Sequence, residues 1–318
     1  MTNIKGDKNL QRLQYDKYGG PEVVHLSPFT LPAPGADEVM VQVVAASINP
    51  IDWKLRSGAF KIMTGSKFPR AIGTDFAGTV EAVGSKVSRF KLGDAVVGAV
   101  SMKASGAFAP KLIISQKLVV KKPDNLSFEQ AATLPIAGVT AWCALVNQAR
   151  LARGQKVFIN GAMGAVGQAA IAIARDIGAE VVGRVSPQSI AEAQSIGLAN
   201  ALDYTKPLPD NLNGIFDVVF DCHGSLTPAE EGRLKKKGGK IYDIAPSAAK
   251  FFRTLLSRSR KIIFADLKAE NLQQVVDLAA AGKLTIPIGK TCSLADAPDV
   301  LAALERGQRL NGKAVITF

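Results

Sequence analysis

Along the first third of the chain, short apolar stretches recur at close intervals. Segments 38–46, 78–83, 95–100 and 111–114 are rich in β-branched residues and read as strands. Turn formers punctuate them: Gly19-Gly20-Pro21, Pro32-Ala33-Pro34-Gly35 and Gly93-Asp94. Such spacing predicts a small antiparallel barrel. Near Ser127 the texture changes. Ser127 and Gln130 have the spacing of a capping box ahead of an apolar helical run, 131–146. From residue 155 onward, strands with continuous apolar character (156–160, 180–185, 199–203, 217–221, 240–244 and 261–265) alternate with helical stretches, notably 167–177 and 188–196. That alternation predicts a parallel sheet covered on both faces. Helices at 269–281 and 295–305 follow, and a last strand, 313–317, is expected to return to the first domain. The expected fold class is α/β, a doubly wound parallel sheet plus a β-barrel domain. The expected domains are residues 1–126, completed by 271–318, and residues 127–270.

Composition narrows the functions. A chain of 318 residues fits two domains rather than one core. At 47% hydrophobic and 21% charged residues it is globular. No apolar run approaches the ~20 residues of a membrane helix. Residues 1–13 are polar and lack the apolar core of a secretory signal, so the expectation is a cytoplasmic protein. The net charge of +12 admits an anionic partner. The densest basic groups are Lys235-Lys236-Lys237 and 253–261, where Arg258, Arg260 and Lys261 crowd together. A solvated face is the simpler reading, and a weak peripheral membrane contact the sharper one. No basic stripe is interleaved with aromatics, which argues against nucleic acid as the main partner. The three cysteines, Cys143, Cys222 and Cys292, and two histidines, His25 and His223, show neither CxxC nor HxxxH spacing. They make a poor zinc inventory and no disulfide framework, so no metal is expected.

One motif carries chemistry. Strand 156–160 runs into Gly161-Ala162-Met163-Gly164-Ala165-Val166-Gly167 and then a helix, a variant of the dinucleotide fingerprint. Glycine permits the tight turn and close approach of backbone to a pyrophosphate, and the helix N-terminus offers N–H groups and a positive dipole end. A strand before, a helix after and an α/β region beyond are the context such a motif requires. The expected cofactor contacts here are Gly161, Met163, Gly164, Ala165, Val166 and Gly167. After the next strand the chain reads Val185-Ser186-Pro187-Gln188, without the acidic residue that would accept ribose hydroxyls. Arg184, Ser186 and Gln188 suit a 2′-phosphate instead. The expected cofactor is NADPH, with a solvent-facing Arg184 as the plainer alternative.

The chain resembles the medium-chain dehydrogenase/reductase superfamily, in its zinc-free quinone oxidoreductase branch. The resemblance rests on Tyr18-Gly19-Gly20-Pro21-Glu22, Asn49-Pro50-Ile51-Asp52-Trp53-Lys54, Gly73-Thr74-Asp75-Phe76-Ala77-Gly78, Gly93-Asp94-Ala95-Val96, Ala137-Gly138-Val139-Thr140-Ala141 and Gly312-Lys313-Ala314-Val315-Ile316. The Asn-Pro-x-Asp-Trp-Lys segment is similar to that of plastid-envelope quinone oxidoreductase homologues and of enone and alkenal reductases. The resemblance implies a GroES-like catalytic barrel, a Rossmann domain and a homodimer. It implies roles too: Asn49 and Lys54 as catalytic residues, Lys54 also on the nicotinamide ribose, Thr140 near the nicotinamide, Tyr204 near adenine or phosphate, Cys222 and His223 beneath the cofactor, Ile244 and Pro246 along the nicotinamide pocket, and Asn311 reaching the cofactor. The residues alone leave Asn49 open as a turn former before Pro50. Zinc-dependent members carry a ligand cysteine at about Ser47 and a His-Glu pair at Thr74-Asp75, and both are missing here. The expected reaction is hydride transfer from NADPH to a quinone or an enone. The alternatives are a non-catalytic NADPH-binding protein and an enoyl-thioester reductase, although 49–54 holds no tyrosine to protonate carbon.

Overall fold

The computed structural model describes residues 10–244, 250, 254 and 257–318. They fall into two compact units, Met1–Ile136 with Leu267–Ala280 and Ile286–Phe318, and Ala137–Asp266 with Ala281–Thr285.

The first unit is built on strand Glu38–Ser47, whose two edges are both occupied. Asp75–Val83 runs antiparallel along one edge. Along the other, Lys111–Ser115 pairs with its first half and the chain-terminal strand Lys313–Thr317 with its last residues. Ile288–Cys292, Ala95–Ala99 and Val119–Lys121 complete a seven-stranded sheet, and a three-stranded sheet, His25–Pro28, Gln11–Tyr15 and Arg70–Ala71, stands beside it. Phe76, Phe108, Leu13, Val41, Val80 and Ile316 are buried in its core. The register Ser47↔Val315 matters for the site, because it sets Lys313 beside the chain as it leaves the central strand at Ile48-Asn49. Ile48 N–H donates to the Ala314 carbonyl at 2.9 Å.

Ser127 and Gln130 form the expected capping box. The helix it opens is short, Phe128–Ala132, and packs on strands Glu38–Ser47 and Asp75–Val83 of the first unit. The unit boundary thus lies after Ile136 rather than after residue 126. The single helix expected over 131–146 is instead three pieces, because Pro135 lacks an N–H and starts a new helix: Phe128–Ala132, Pro135–Trp142 and a π-helical turn Cys143–Gln148.

The second unit holds a six-stranded parallel sheet in the order Asn200–Asp203, Glu180–Val185, Lys156–Asn160, Phe216–Asp221, Lys235–Asp243, Arg260–Ile262. Numbered along the chain the order is 3-2-1-4-5-6, the doubly wound arrangement whose switch point lies between the first and fourth strands. Phe158 and Phe216, from those two strands, meet edge to face at 5.3 Å between ring centres in the core under the switch point. The fifth strand starts earlier than its apolar run because Lys235 already pairs with Phe216, ahead of a register shift.

A part-buried ion pair closes the first unit across a long sequence distance. Arg56, 2% exposed at the end of helix Pro50–Arg56, pairs with Glu305 at the end of helix Ala297–Glu305. Glu305→Ala leaves that guanidinium uncompensated. Chemical denaturation should show a loss of about 3 kcal/mol, the lower end of the range for breaking a buried pair. Arg56→Met/Glu305→Ala, which removes both charges, should recover most of it.

Candidate active site

Where the central strand ends, the first unit buries a polar cluster of Ser47, Asn49, Asp52, Thr74, Asp75 and Lys313. Asn49 caps helix Pro50–Arg56, and Asp52 returns the capping box by accepting the Asn49 N–H at 2.7 Å. The Asn49 side-chain amide donates to Asp75 Oδ2 (2.9 Å), Thr74 Oγ1 (3.2 Å) and the Ser47 carbonyl (3.3 Å). Its Oδ1 accepts from Lys313 Nζ at 2.8 Å. Lys313 also donates to Asp75 Oδ2 (3.2 Å) and to the Thr133 carbonyl (3.3 Å). Thr74 Oγ1 donates to Asp52 Oδ1 and Ser47 Oγ to Asp75 Oδ2, each at 3.2 Å.

This geometry corrects one expectation. Asn49 is not a donor aimed at substrate, because both its amide hydrogens and its carbonyl oxygen are committed inside the protein. Its part is to set the start of the helix that carries Lys54. Lys54 lies on the last turn of that helix, part-exposed, and among the described residues no side chain pairs with its ammonium. The buried carboxyls are perturbed. Burial pushes Asp52 up to about 7, with the Asn49 N–H pulling the other way and Asp75 adding to the rise. Burial also raises Asp75, against the pull of Lys313 and Asn49.

The family of zinc dehydrogenases would place a metal at these positions. The donor set does not fit one. Ser47 and Thr74 are hydroxyls engaged with Asp75 and Asp52, and the remaining acceptors surround the Lys313 ammonium, which already supplies the positive charge. Among the described residues the one group of acidic side chains with metal-ligand spacing is Asp221, Glu231 and Asp243, and there too a lysine, Lys250, sits between them.

In the second unit, strand Lys156–Asn160 ends at the switch point and helix Ala165–Ile177 begins at Gly164. Gly161 takes φ +73°, a left-handed conformation that glycine adopts freely. A Cβ on Gly167 would come within 2.4 Å of the Gly161 carbonyl, so this glycine is what lets helix and loop close up. Gly164 caps the helix with no side chain, and a Cβ there would meet only the Gly161 carbonyl, at 3.4 Å. The first N–H groups of a thirteen-residue helix therefore receive no side-chain cap among the described residues. That cradle fits the diphosphate of a dinucleotide. Met163 lies in the loop, its carbonyl held by Gln168 Nε2 at 2.9 Å, and Ala165 and Val166 form the first turn.

Arg184 differs from its expected role. Its guanidinium pairs with Glu230 at 2.9 Å and donates to the Tyr204 and Lys206 carbonyls (3.1 and 3.3 Å). It clamps the turn after the third strand instead of standing ready for phosphate. That clamp holds the carbonyl of a residue the sequence did not single out, exposed Lys206, on the same turn as exposed Tyr204, whose N–H donates to the Val185 carbonyl at the end of strand Glu180–Val185. The only sequence signal was a lysine shortly after Tyr204, meaningless until the turn is folded back. Ser186 and Ser189 share a hydrogen bond (2.7 Å) around a short 3-10 turn that includes Gln188.

The remaining expected contacts are scattered over the same unit and the first. Cys222 and His223 follow the fourth strand, and a Cβ on Gly161 would lie 3.0 Å from that of His223, so this turn abuts the cofactor loop. Burial pushes the Cys222 thiol well up, and Asp221 adds to the rise, which suits packing rather than nucleophilic attack. Ile244 N–H reaches the Asp221 carbonyl at 3.3 Å. Pro246 lies outside the described residues, as does Arg253 of the basic stretch. Arg260 of that stretch is buried against Glu231 and belongs to no surface patch. Thr140 is buried in helix Pro135–Trp142, and Asn311 is exposed just ahead of strand Lys313–Thr317.

The raised carboxyl of Asp52 has a measurable signature. Unfolded, the group titrates near 3.8, and folded near 7, so the folded state holds its proton more tightly between those values. Its contribution is fully present below about pH 4 and is lost as pH rises towards 7. In denaturation series across that range, Asp52→Asn should gain stability relative to the parent as pH rises, with the difference levelling off above 7. A difference that stays constant would show that Asp52 ionises normally.

With the two sites described, the chain can be set beside known proteins. The family model "Alcohol dehydrogenase GroES-like domain" matches residues 35–124, and "Zinc-binding dehydrogenase" matches residues 196–316. A chloroplast envelope quinone oxidoreductase homolog of Arabidopsis thaliana is 32% identical over 97% of this chain and 98% of its own length. The NADPH-dependent alkenal/one oxidoreductase of the same plant is 36% identical over 76% of this chain and 64% of its own length. Among solved structures, the quinone oxidoreductase of Coxiella burnetii superposes with a TM-score of 0.87 at 28% identity, covering 97% of this chain and 99% of that one. The Escherichia coli quinone oxidoreductase complexed with NADPH gives 0.82 at 26% identity, covering 97% and 100%. The expected α/β fold with a GroES-like domain and a parallel dinucleotide sheet is thus the observed one. The chain belongs to the medium-chain dehydrogenase/reductase superfamily, in its quinone oxidoreductase branch.

Proposed function

We propose that this protein is a zinc-independent, NADPH-dependent oxidoreductase that reduces a quinone or an α,β-unsaturated carbonyl compound. The observation that carries the reading is the uncapped glycine loop, Gly161 to Gly167, opening a helix at the switch point of a doubly wound sheet. Relatives named as quinone oxidoreductases and as an NADPH-dependent alkenal/one oxidoreductase support the acceptor class and the cofactor.

NADPH, when bound, supplies a hydride from C4 of its nicotinamide. The loop N–H groups and the helix dipole hold its diphosphate. Ser186, Gln188 and Lys206 would hold the 2′-phosphate, the nearby carboxylates Asp203 and Glu230 being taken up by Thr205 and Arg184. The Lys54 ammonium would stabilise the oxygen on which a conjugated acceptor develops negative charge as it is reduced. Solvent then protonates the product. The buried network about Lys313 keeps Lys54 in place by fixing the cap of its helix. A conjugated acceptor needs less polarisation than a simple ketone, which is why the chemistry proceeds without a metal Lewis acid. For assembly, a homodimer through sheet edges rests on the resemblance; among the described residues the strand at this edge is Arg260–Ile262. A cytoplasmic setting is part of the same proposal, argued from a sparse, odd set of cysteines that suits a reducing compartment.

The test is oxidation of NADPH and NADH, followed at the nicotinamide absorbance, with a small quinone and a short enone. Turnover with clear NADPH preference is expected, and Lys206→Glu should cut that preference at least ten-fold. Tight NADPH binding without turnover of any conjugated acceptor would favour the non-catalytic reading. No NADPH binding would overturn the assignment. Within the reaction, Lys54→Met should lower kcat ten-fold or more, about 1.4 kcal/mol of transition-state stabilisation, while the melting temperature stays near that of the parent. An unchanged kcat would remove Lys54 from the chemistry.

A further inference from the structure

A second buried lysine is left unexplained by the reaction. Lys250 lies beyond the end of strand Lys235–Asp243, 5% exposed, with its ammonium 2.7 Å from Asp221 Oδ2, 2.8 Å from Asp243 Oδ2 and 3.3 Å from Glu231 Oε1. Arg260 completes the cluster through both oxygens of Glu231. Three carboxylates thus face two cations, all buried.

Asp221 gives this cluster its reach. It ends the fourth strand, on one side of the switch point. Its Oδ1 accepts from Asn160 Nδ2 (2.7 Å), Gly224 N–H (2.7 Å) and His223 N–H (3.1 Å), and its Oδ2 from Leu226 N–H (3.1 Å) as well as from Lys250. Asn160 is the last residue before Gly161, and its amide also reaches Ser225 Oγ at 3.0 Å. One carboxylate therefore holds the start of the cofactor loop and the whole turn that abuts it. Burial opposes a charged Asp221, but hydrogen bonds from Asn160 and Lys250 hold its carboxyl below the usual range.

We propose that Lys250 is a positioning residue for cofactor binding, its ammonium fixing the Asp221 carboxylate that ties the glycine loop to the 222–226 turn. The inference rests on the reading of Gly161 to Gly167 as an NADPH site. Without Lys250, the buried Asp221 carboxylate would lose the cation its Oδ2 faces, and it would take up a proton or turn towards water. Asp221, no longer held from its Oδ2 side, could not keep its place among its four remaining donors, and Asn160 would lose its fixed orientation beside Gly161. A negative charge left unbalanced at the switch point would also repel an anionic cofactor.

The experiment measures NADPH dissociation constants by fluorescence, together with steady-state constants, on the full chain. Lys250→Met is expected to weaken NADPH binding at least ten-fold, with the KM for a quinone at saturating NADPH changed less than two-fold. Because that variant strands a charge, Lys250→Met/Asp243→Asn, which removes one charge of each sign, serves as the stable companion. It should melt within a few degrees of the parent yet still bind NADPH at least five-fold more weakly. If the double variant binds NADPH like the parent, or if NADPH and quinone constants worsen together, Lys250 merely stabilises the unit and the proposal falls. A parent protein that fails to bind NADPH would instead overturn the cofactor reading on which it stands.

Discussion

The Lys313 ammonium, sealed among Asn49, Asp75 and the Thr133 carbonyl, is the constraint on which the first unit depends. A buried cation is costly unless paired and hydrogen-bonded, so every element that supplies one of its acceptors is held to it. The C-terminal strand brings the lysine. The central strand and the helix after it bring Asn49, the neighbouring strand brings Asp75, and the chain after Ser127 brings Thr133. The interaction also sets the orientation of the Asn49 amide: with Oδ1 turned to the lysine, its nitrogen must face Asp75 and Thr74. The cluster is organised by an ammonium on a flexible stem, which holds the surrounding segments together.

The second unit uses the same device at a different place. Its sheet is apolar through the middle, and its polar residues gather where strands end. Asn160 and Asp221 end the two strands flanking the switch point, and their hydrogen bond at 2.7 Å joins the edges of the crevice where ligands bind in such sheets. Lys250 and Arg260 offset the acids beneath. In both units a buried basic side chain compensates a carboxylate that organises a loop. Precision comes from satisfied polar groups, since a partly satisfied network would cost more than an apolar one.

Much of this was legible along the chain. Strands 156–160, 180–185 and 313–317 were readable to the residue because apolar runs bounded by glycine and charge leave little choice of end. The capping box at Ser127 and Gln130 was readable because it is a contact between residues three apart. The glycine loop was readable because its demands, a positive φ at Gly161 and no room for a Cβ at Gly167, are local. The helix expected over 131–146 broke at Pro135, a local signal outweighed in the reading by the apolar run around it.

What the sequence by itself determined is the set of elements and the class of chemistry: two units, a dinucleotide loop with no acidic residue at the next strand's end, and too few clustered cysteines and histidines for a zinc site. These follow from periodicity, backbone conformation and residue type, which act over a few positions. Only the tertiary structure decided which polar groups are spent and which remain available. Asn49 and Arg184 looked like ligands and are consumed by Lys313, Asp75 and Glu230, while Lys250 and Lys313, which no sequence pattern marked for a role, are buried among the acids that organise the sites. Hydrogen-bond partners distant in sequence, such as Asn49 and Lys313 or Asp221 and Lys250, leave no periodic trace. Their pairing is fixed by strand order and register, and those depend on the whole fold.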